Sequence, residues 1–267
     1  MNQNPKAIFI STKKFEEQTK QNKHKILDLR EFSKYEEGHI ANSVFIDSSI
    51  FSWKNIEGYN EIPPKEIVEQ TLQQAGINEH DYIYLIDDVF NLNCSLAAWT
   101  LHYYGISSIS LIDGALQKWI YEGKKLTKET PEINPGNIKI KNSNKEIFIT
   151  RDEIMLNIYN ENYVFVDNRS EFSRTMDSQG GSIPGSKFYW WMDLFEEHPD
   201  FFVLKKEEEI LYDLEQLDIT KNKTVVLYCE NAAQSALVYL VLKSIGYKHV
   251  RVYLAGYNEW RLCGGFV

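Results

Sequence analysis

An internal repeat constrains this chain more than any other feature of its sequence. Gly105 and Gly246 lie 141 positions apart, as do Trp119 and Trp260, and the residues around each pair match in type. In each copy a β-branched and aromatic run precedes an apolar helical stretch that ends at the glycine. An ordered set of matches predicts two copies of one structural unit.

An earlier pair of motifs extends the repeat. Asp-x-Arg follows a short apolar run at Asp28 and again at Asp167, and Gly-x-Ile-x-x-Ser follows at Gly38 and at Gly181. Within each copy, short apolar strands alternate with helical patterns, which is typical of βα units in a parallel sheet. We therefore predict an α/β fold of two tandem domains, each a parallel sheet flanked by helices.

The second copy gives the clearest pattern of elements. We predict helices near Arg151–Asn160, Lys205–Leu217, Ala232–Ile245 and Tyr257–Leu262, and strands near Val164–Val166, Val225–Tyr228 and Val250–Tyr253. The segment 124–146 contains two prolines and many charged residues, a composition typical of an exposed connector. The predicted domains are therefore an N-terminal domain over 1–123, a linker over 124–146 and a C-terminal domain over 147–267.

Composition argues against several classes of protein. The net charge of −9 argues against a nucleic-acid-binding protein, which usually carries a basic patch. The sequence has no apolar run of about 18 residues and no apolar leader, so we expect no membrane span and no signal peptide. Its three cysteines follow no disulfide or metal-site spacing. We expect a cytoplasmic, reduced protein.

Cys229 lies where the run Thr224–Tyr228 gives way to an apolar helical pattern. The thiolate is the nucleophilic form of cysteine. Unpaired amides and the positive dipole end at the start of a helix favour an anion, and the loop after the cysteine can fold its amides into a nest. The pattern therefore predicts a reactive thiolate at Cys229, although a buried structural cysteine fits a strand–Cys–helix pattern as well.

The whole set of motifs resembles the tandem-domain rhodanese family, which includes thiosulfate and 3-mercaptopyruvate sulfurtransferases. The most specific pieces are Gly181-Ser182-Ile183-Pro184-Gly185-Ser186 and Glu259-Trp260. Family members pair an inactive N-terminal domain with a catalytic C-terminal one, and Asp88 stands in the first copy where Cys229 stands in the second. The resemblance implies that Cys229 is the catalytic residue and becomes a persulfide.

The resemblance also implies the partners of the reaction. We expect a small anionic sulfur donor, either 3-mercaptopyruvate or thiosulfate, and an acceptor that is a thiol, cyanide or a thioredoxin-like protein. No metal and no organic cofactor is implied. The expected substrate-binding loop, whose amides surround the thiolate or persulfide, consists of Glu230, Asn231, Ala232, Ala233, Gln234 and Ser235.

This loop departs from the family pattern. Thiosulfate-using relatives carry basic residues directly after the cysteine, whereas Glu230 raises a thiol pKa and repels an anionic donor. Mercaptopyruvate-type loops have glycine where this chain has Ala232, and glycine alone adopts φ > 0 without steric cost. Either the loop has a different shape, or Asn231 takes the left-handed position. The neutral residues after Glu230 favour a mercaptopyruvate-like donor.

Residues outside the loop complete the predicted site. Arg174 lies one residue out of register with a carboxylate-binding arginine of the family, and Arg169 matches the family Asp-x-Arg motif. Because Asp-x-Arg recurs in the inactive copy, Arg169 is either a substrate ligand or half of a structural ion pair. Asp47 matches a polar residue of mercaptopyruvate enzymes, whereas Asn60 stands in place of their histidine and cannot shuttle a proton.

Two other functions are compatible with parts of this pattern. A cysteine-dependent phosphatase shares the general fold, but it needs an arginine six places after the cysteine, where this chain has Ser235. The unusual loop also fits a rhodanese-fold protein of low turnover that carries a persulfide or binds a partner. The sequence therefore predicts a sulfurtransferase, with the persulfide carrier or partner-binding module as the alternative.

Overall fold

The computed structural model describes residues 8–20, 24–175 and 181–263, and it divides into two compact units. The first unit contains the described residues of segments 1–51, 63–143 and 197–203, and the second those of 52–62, 144–196 and 204–267. Each unit has its own parallel sheet with helices between the strands. The predicted fold class, two tandem α/β domains, is confirmed.

The first unit contains a five-stranded sheet in the order β1-β5-β4-β2-β3, and every neighbouring pair is parallel. Its strands are β1 (Phe9–Ile10), β2 (His24–Asp28), β3 (Ser43–Phe45), β4 (Tyr82–Ile86) and β5 (Ile109–Ile112). Its helices are α1 (Thr12–Thr19), α2 (Phe32–Glu37), α3 (Lys65–Gln74), α4 (Leu92–Tyr103) and α5 (Ala115–Tyr121).

The second unit repeats this plan with a four-stranded parallel sheet in the order β11-β10-β6-β7. Its sheet consists of β6 (Tyr163–Asp167), β7 (Lys187–Phe188), β10 (Thr224–Tyr228) and β11 (Val250–Val252). The helices are α6 (Arg151–Asn157), α7 (Glu171–Thr175), α8 (Glu207–Gln216), α9 (Ala233–Ser244) and α10 (Gly256–Leu262). A separate two-stranded sheet pairs β8 (Phe195–His198) with β9 (Phe201–Leu204).

Trp119 and Trp260, the two tryptophans of the repeat, pack in equivalent hydrophobic clusters. Trp119 packs in a cluster with Phe15 and Tyr84, and Trp260 packs in a cluster with Phe165 and Tyr228. The central strands β4 and β10 are buried along nearly their whole length, as expected for parallel strands covered by helices on both faces. This packing fixes where each central strand ends, and therefore where the following loop begins.

The segment expected as an exposed connector is partly packed. Ile138 and Ile140 are buried in the first unit, and the Ile140 N–H donates to Glu69 at 2.8 Å. Gly136 passes so close to the backbone of Ile77 that an added Cβ would lie 1.9 Å from its carbonyl oxygen. Composition identified the polar residues of this segment but not the two isoleucines that anchor it.

Among the residues that the structure describes, no helix is long and apolar enough to cross a membrane.

Candidate active site

Cys229 occupies the predicted position between β10 and α9. The strand ends at Tyr228, Cys229 follows, and α9 starts at Ala233 after the N-cap residue Ala232. The carboxyl ends of parallel strands and the N-termini of the helices that follow them meet at one edge of such a sheet, where α/β proteins bind ligands. The local sequence, an apolar run followed by small residues, therefore places the thiol at the start of a helix.

Three donors of the loop influence the pKa of the Cys229 thiol. The N–H groups of Asn231 and Ser235 and the hydroxyl of Ser235 all lower the pKa of the thiol by hydrogen bonding. The buried Ser235 Oγ makes no well-formed hydrogen bond with another group, so its interaction with the sulfur is looser than a full hydrogen bond. That the loop amides form a nest around the sulfur stays a prediction.

Burial outweighs these donors. The Cys229 side chain has 0 % exposed area, and this desolvation raises the pKa of the thiol above its usual value because the ionised form loses hydration. The Glu230 carboxylate raises it further, although it is the weakest of these influences. The expectation of a thiol held ionised is therefore not met by the resting site, in which the neutral thiol is favoured.

Ala232 holds the unusual backbone conformation of the loop. Its φ of 67° and ψ of −30°, with a hydrogen bond of 2.9 Å from Ala233 N to Asn231 O, form a turn close to the γ-turn that is rare and strained. Asn231 is not among the described residues with positive φ, so the expectation that it takes the left-handed position is wrong. The alanine Cβ in this region costs about 1–3 kcal/mol.

The backbone of Cys229 is held by the next helix of the unit. The Tyr257 N–H donates to the Cys229 carbonyl at 2.9 Å, at the start of α10. Gly256 has φ of 64°, and an added Cβ would lie 2.2 Å from that carbonyl oxygen. Glycine is therefore required at this position, both by its φ and by the close approach of the two backbones.

Arg169 forms an ion pair inside the protein. Its Nε and one terminal nitrogen contact the two oxygens of Asp167 at 2.9 and 2.7 Å, and the guanidinium also donates to the Gly181 carbonyl at 2.6 Å. Arg30 makes the same contacts with Asp28 and Gly38 in the first unit. These contacts support the structural interpretation of Arg169, whose side chain is only 1 % exposed.

Arg174 is more accessible. Its side chain is 25 % exposed, its Nε lies 3.3 Å from Asp167 Oδ2, and its guanidinium carbon lies 4.2 Å from the centre of the Phe188 ring. It therefore retains the area that an anionic ligand needs, whereas Arg169 does not. The five residues that follow Thr175 lie outside the described part of the chain.

Tyr228 links Cys229 to this ion pair. Its hydroxyl donates to Asp167 at 3.1 Å, and it contacts Ser186 Oγ at 2.8 Å and accepts from the Ile183 N–H at 3.1 Å. The last two residues belong to the Gly-Ser-Ile-Pro-Gly-Ser motif, so the motif and the end of β10 are joined through one buried phenol. Sequence reasoning treated Tyr228 only as a strand residue.

Other predicted residues occupy different places. Ala233 and Gln234 lie half-buried in the first turn of α9, and the carbonyl of Glu230 accepts from Asn258 at 3.2 Å. Asp47 belongs to the first unit, where its carboxylate accepts from the Ser49 N–H and caps a short 3₁₀ helix. A ligand role for Asp47 stays a prediction.

Asn60 is a site residue whose contact the sequence did not reveal. It belongs to the second unit, and its side-chain amide donates to the Asn231 carbonyl at 2.6 Å. The two residues are 171 positions apart. The only sequence signal was the substitution of the family histidine, which indicated a lost proton shuttle rather than a gained backbone contact.

Comparison with known proteins places both units in one family. The Rhodanese-like domain model matches residues 11–122 and again 150–263. Over 270 residues the chain is 27 % identical to the sulfur carrier protein TtuD of Thermus thermophilus, covering 95 % of this chain and 93 % of that protein. It is 26 % identical to the thiosulfate sulfurtransferase of Azotobacter vinelandii over 239 residues, covering 88 % and 87 %.

A solved structure shows the same fold. The crystal structure of SseA from Escherichia coli, described as a 3-mercaptopyruvate sulfotransferase, superposes with a TM-score of 0.81 at 20 % identity. The match covers 92 % of this chain and 97 % of that one. At this identity the likeness is evidence for the fold alone.

Proposed function

This chain belongs to the rhodanese-like family, and on that premise we propose that it is a sulfurtransferase that works through a persulfide on Cys229. The observation that carries the proposal is the position of the Cys229 thiol between the end of β10 and the start of α9, where the unpaired amides of a helix start favour an anion. The similarity to proteins named thiosulfate sulfurtransferase and 3-mercaptopyruvate sulfurtransferase supports the same reaction class.

In the first half-reaction the Cys229 thiolate attacks the transferable sulfur of the donor. With thiosulfate the S–S bond breaks and sulfite leaves with the electron pair. With 3-mercaptopyruvate the C–S bond breaks, and the carbon keeps the electron pair and takes the thiol proton to give pyruvate. In both cases Cys229 becomes a persulfide with one negative charge, which the same amides stabilise as an oxyanion hole stabilises its anion.

In the second half-reaction an acceptor attacks the outer sulfur of the persulfide. Cyanide leaves as thiocyanate, and the Cys229 thiolate is restored with its electron pair. A small thiol or a thioredoxin-like dithiol is an equivalent acceptor. The chain's own residues supply the nucleophile, the anion-stabilising donors and the orientation of the donor.

The electrostatics of the loop favour a mercaptopyruvate-like donor. Thiosulfate carries two negative charges next to the sulfur that is attacked, and the carboxylate of Glu230 opposes their approach. Arg174 provides a partly exposed guanidinium in the same unit, suited to a carboxylate or sulfonate. We also expect Asn231 to contribute polar contacts from the loop.

Burial of the sulfur favours a second candidate function. Cys229 has no exposed area and a raised pKa, which slows attack on a free donor, and a protein named as a sulfur carrier is similar along almost the whole chain. A carrier accepts one sulfur and releases it to a protein partner that opens the site. Such a protein forms the same Cys229 persulfide but turns over slowly with small acceptors.

One assay separates the two functions. The protein is incubated with cyanide and either 3-mercaptopyruvate or thiosulfate, and thiocyanate release is followed for the wild type and for Cys229→Ala. Continuous release that requires Cys229 supports the enzyme, whereas one sulfur per chain without release supports the carrier. Absence of both products from the wild type would contradict the proposed function.

A further inference from the structure

The segment 52–62 forms a compact hairpin within the second unit. Lys54 and Asn60 pair across it in an antiparallel bridge, and the N–H of Glu61 donates to the Trp53 carbonyl at 2.9 Å. At its tip the Asn55 side chain accepts hydrogen bonds of 3.0 Å from the N–H groups of Glu57 and Tyr59. The hairpin is therefore ordered by its own hydrogen bonds, and Asn60 projects from a fixed backbone.

Asn60 reaches the strained part of the Cys229 loop. The Asn231 carbonyl accepts two hydrogen bonds, 2.6 Å from the Asn60 amide and 2.9 Å from the Ala233 N–H. The second bond closes the turn at Ala232, whose φ is 67° although its side chain is a methyl group. An alanine with positive φ persists only where surrounding contacts stabilise that conformation. The hydrogen bond from Asn60 is one such contact, and it comes from outside the loop.

We propose that Asn60 is a positioning residue, which holds the Asn231–Ala232 turn in its left-handed form so that the Asn231 and Ser235 amides stay directed at the Cys229 sulfur. This inference rests on the proposed function for its biological meaning but not for its test. Without the Asn60 donor, the Asn231 carbonyl is no longer held in place, and the backbone at Ala232 can relax toward negative φ. The Asn231 N–H, in the same turn, then moves away from the sulfur.

A double-mutant comparison tests the proposal. Asn60→Ala is made in the wild type and in an Ala232→Gly background, in which the left-handed turn carries no steric penalty. The readout is the pH midpoint of Cys229 alkylation, followed on the Cys229 peptide by mass spectrometry. Asn60→Ala raises this midpoint in the wild type, by an amount equal to about a fivefold change in thiolate stability for one lost hydrogen bond. In the Ala232→Gly background the shift is at least halved.

Controls distinguish positioning from general damage. Asn60→Leu has nearly the same size and no donor, so it reproduces the shift if Asn60→Ala folds poorly, whereas Glu57→Ala at the exposed hairpin tip leaves the midpoint unchanged. An unchanged midpoint in Asn60→Ala, or an equal shift in both backgrounds, would overturn the proposal. Alkylation needs no sulfur donor, so a wild type without transferase activity contradicts the proposed function and leaves this test intact.

Discussion

The loops that follow β4 and β10 use the same helix start in two different ways. In the first unit the Asp87 carboxylate accepts from the N–H groups of Asp88, Asn93 and Cys94, at 2.8, 2.8 and 3.4 Å. In the second unit Tyr228 stands at the matching position, and its phenol turns toward Asp167 instead. The chain's own carboxylate thus accepts from the amides of the first loop, whereas in the second loop Tyr228 leaves the helix start to the Cys229 thiol.

The two loops have backbone donors at corresponding positions of the repeat. Cys94 in the first copy corresponds to Ser235 in the second. The Cys94 N–H donates to Asp87, and the Ser235 N–H lowers the pKa of the Cys229 thiol. Burial raises the pKa of both acidic groups, Asp87 and Cys229. The residue that corresponds to Cys229 is Asp88, which pairs with Lys34 at the surface. The comparison teaches that corresponding loops of one scaffold can place either a carboxylate or a thiol beside the start of the following helix.

Removal of Cys229 is the largest test of the comparison. Cys229→Ala removes the nucleophile, so we expect sulfur transfer to fall by at least ~1,000-fold in a thiocyanate assay. Cys263→Ala, at an exposed thiol, is the matched control and retains wild-type transfer. Substantial sulfur transfer by Cys229→Ala would show that the Cys229 thiol does not distinguish the second loop from the first, and the comparison would fail.

The next test introduces a carboxylate at Tyr228, the position that corresponds to Asp87 in the first unit. In Tyr228→Asp the new carboxylate competes for the loop amides and opposes thiolate formation, so we expect a loss of about 100-fold in transfer. Tyr228→Asn has the same shape without the charge, and Tyr228→Phe removes only the hydroxyl. The comparison fails if Tyr228→Asp and Tyr228→Asn lose the same activity, since the charge would then be irrelevant.

Ser235→Ala removes the hydroxyl from the second loop and keeps the amide. Only the thiolate reacts, and the pKa of Cys229 is already raised, so transfer and alkylation increase as the pH rises toward that pKa. Loss of one donor raises the pKa further, and we expect both pH profiles to move to higher pH with about a threefold to tenfold loss at neutral pH. Ser235→Thr, which keeps the hydroxyl, returns the profile toward the wild type.

The charge of Glu230 has the smallest expected effect. Because its carboxylate raises the pKa of Cys229, Glu230→Lys lowers that pKa and increases thiosulfate use by about twofold to fivefold at low salt. Glu230→Gln separates loss of the anion from gain of the cation, and added salt reduces the difference. Equal rates for all three proteins at low salt would show that the side chain points away from the sulfur.

Local patterns were sufficient to predict the scaffold. Apolar runs and small residues located β10, Cys229 and α9, and Trp119 and Trp260 marked two equivalent cores. The repeat also aligned Asp88 with Cys229. It did not show that Asp87, one residue earlier, accepts from the amides of the first loop, because alignment of positions does not specify which side chain reaches the amides.

Long-range packing determines what the sequence did not reveal. The left-handed Ala232 breaks the local preference of alanine and depends on contacts such as the Asn60 amide, which comes from a distant segment. Burial of Cys229 likewise depends on the side chains packed over it, and it reverses the direction of the pKa shift expected from the helix start alone. The sequence therefore predicts the position of Cys229 in the fold but not the environment of its side chain.

The most direct test of the account is to locate the transferred sulfur. The protein is treated with 3-mercaptopyruvate without an acceptor, and its cysteine peptides are mapped by mass spectrometry before and after cyanide. We predict one added sulfur atom on the Cys229 peptide, removed by cyanide with formation of thiocyanate, and none on the peptides of Cys94 or Cys263. An unmodified Cys229, or sulfur carried on another cysteine, would contradict the account.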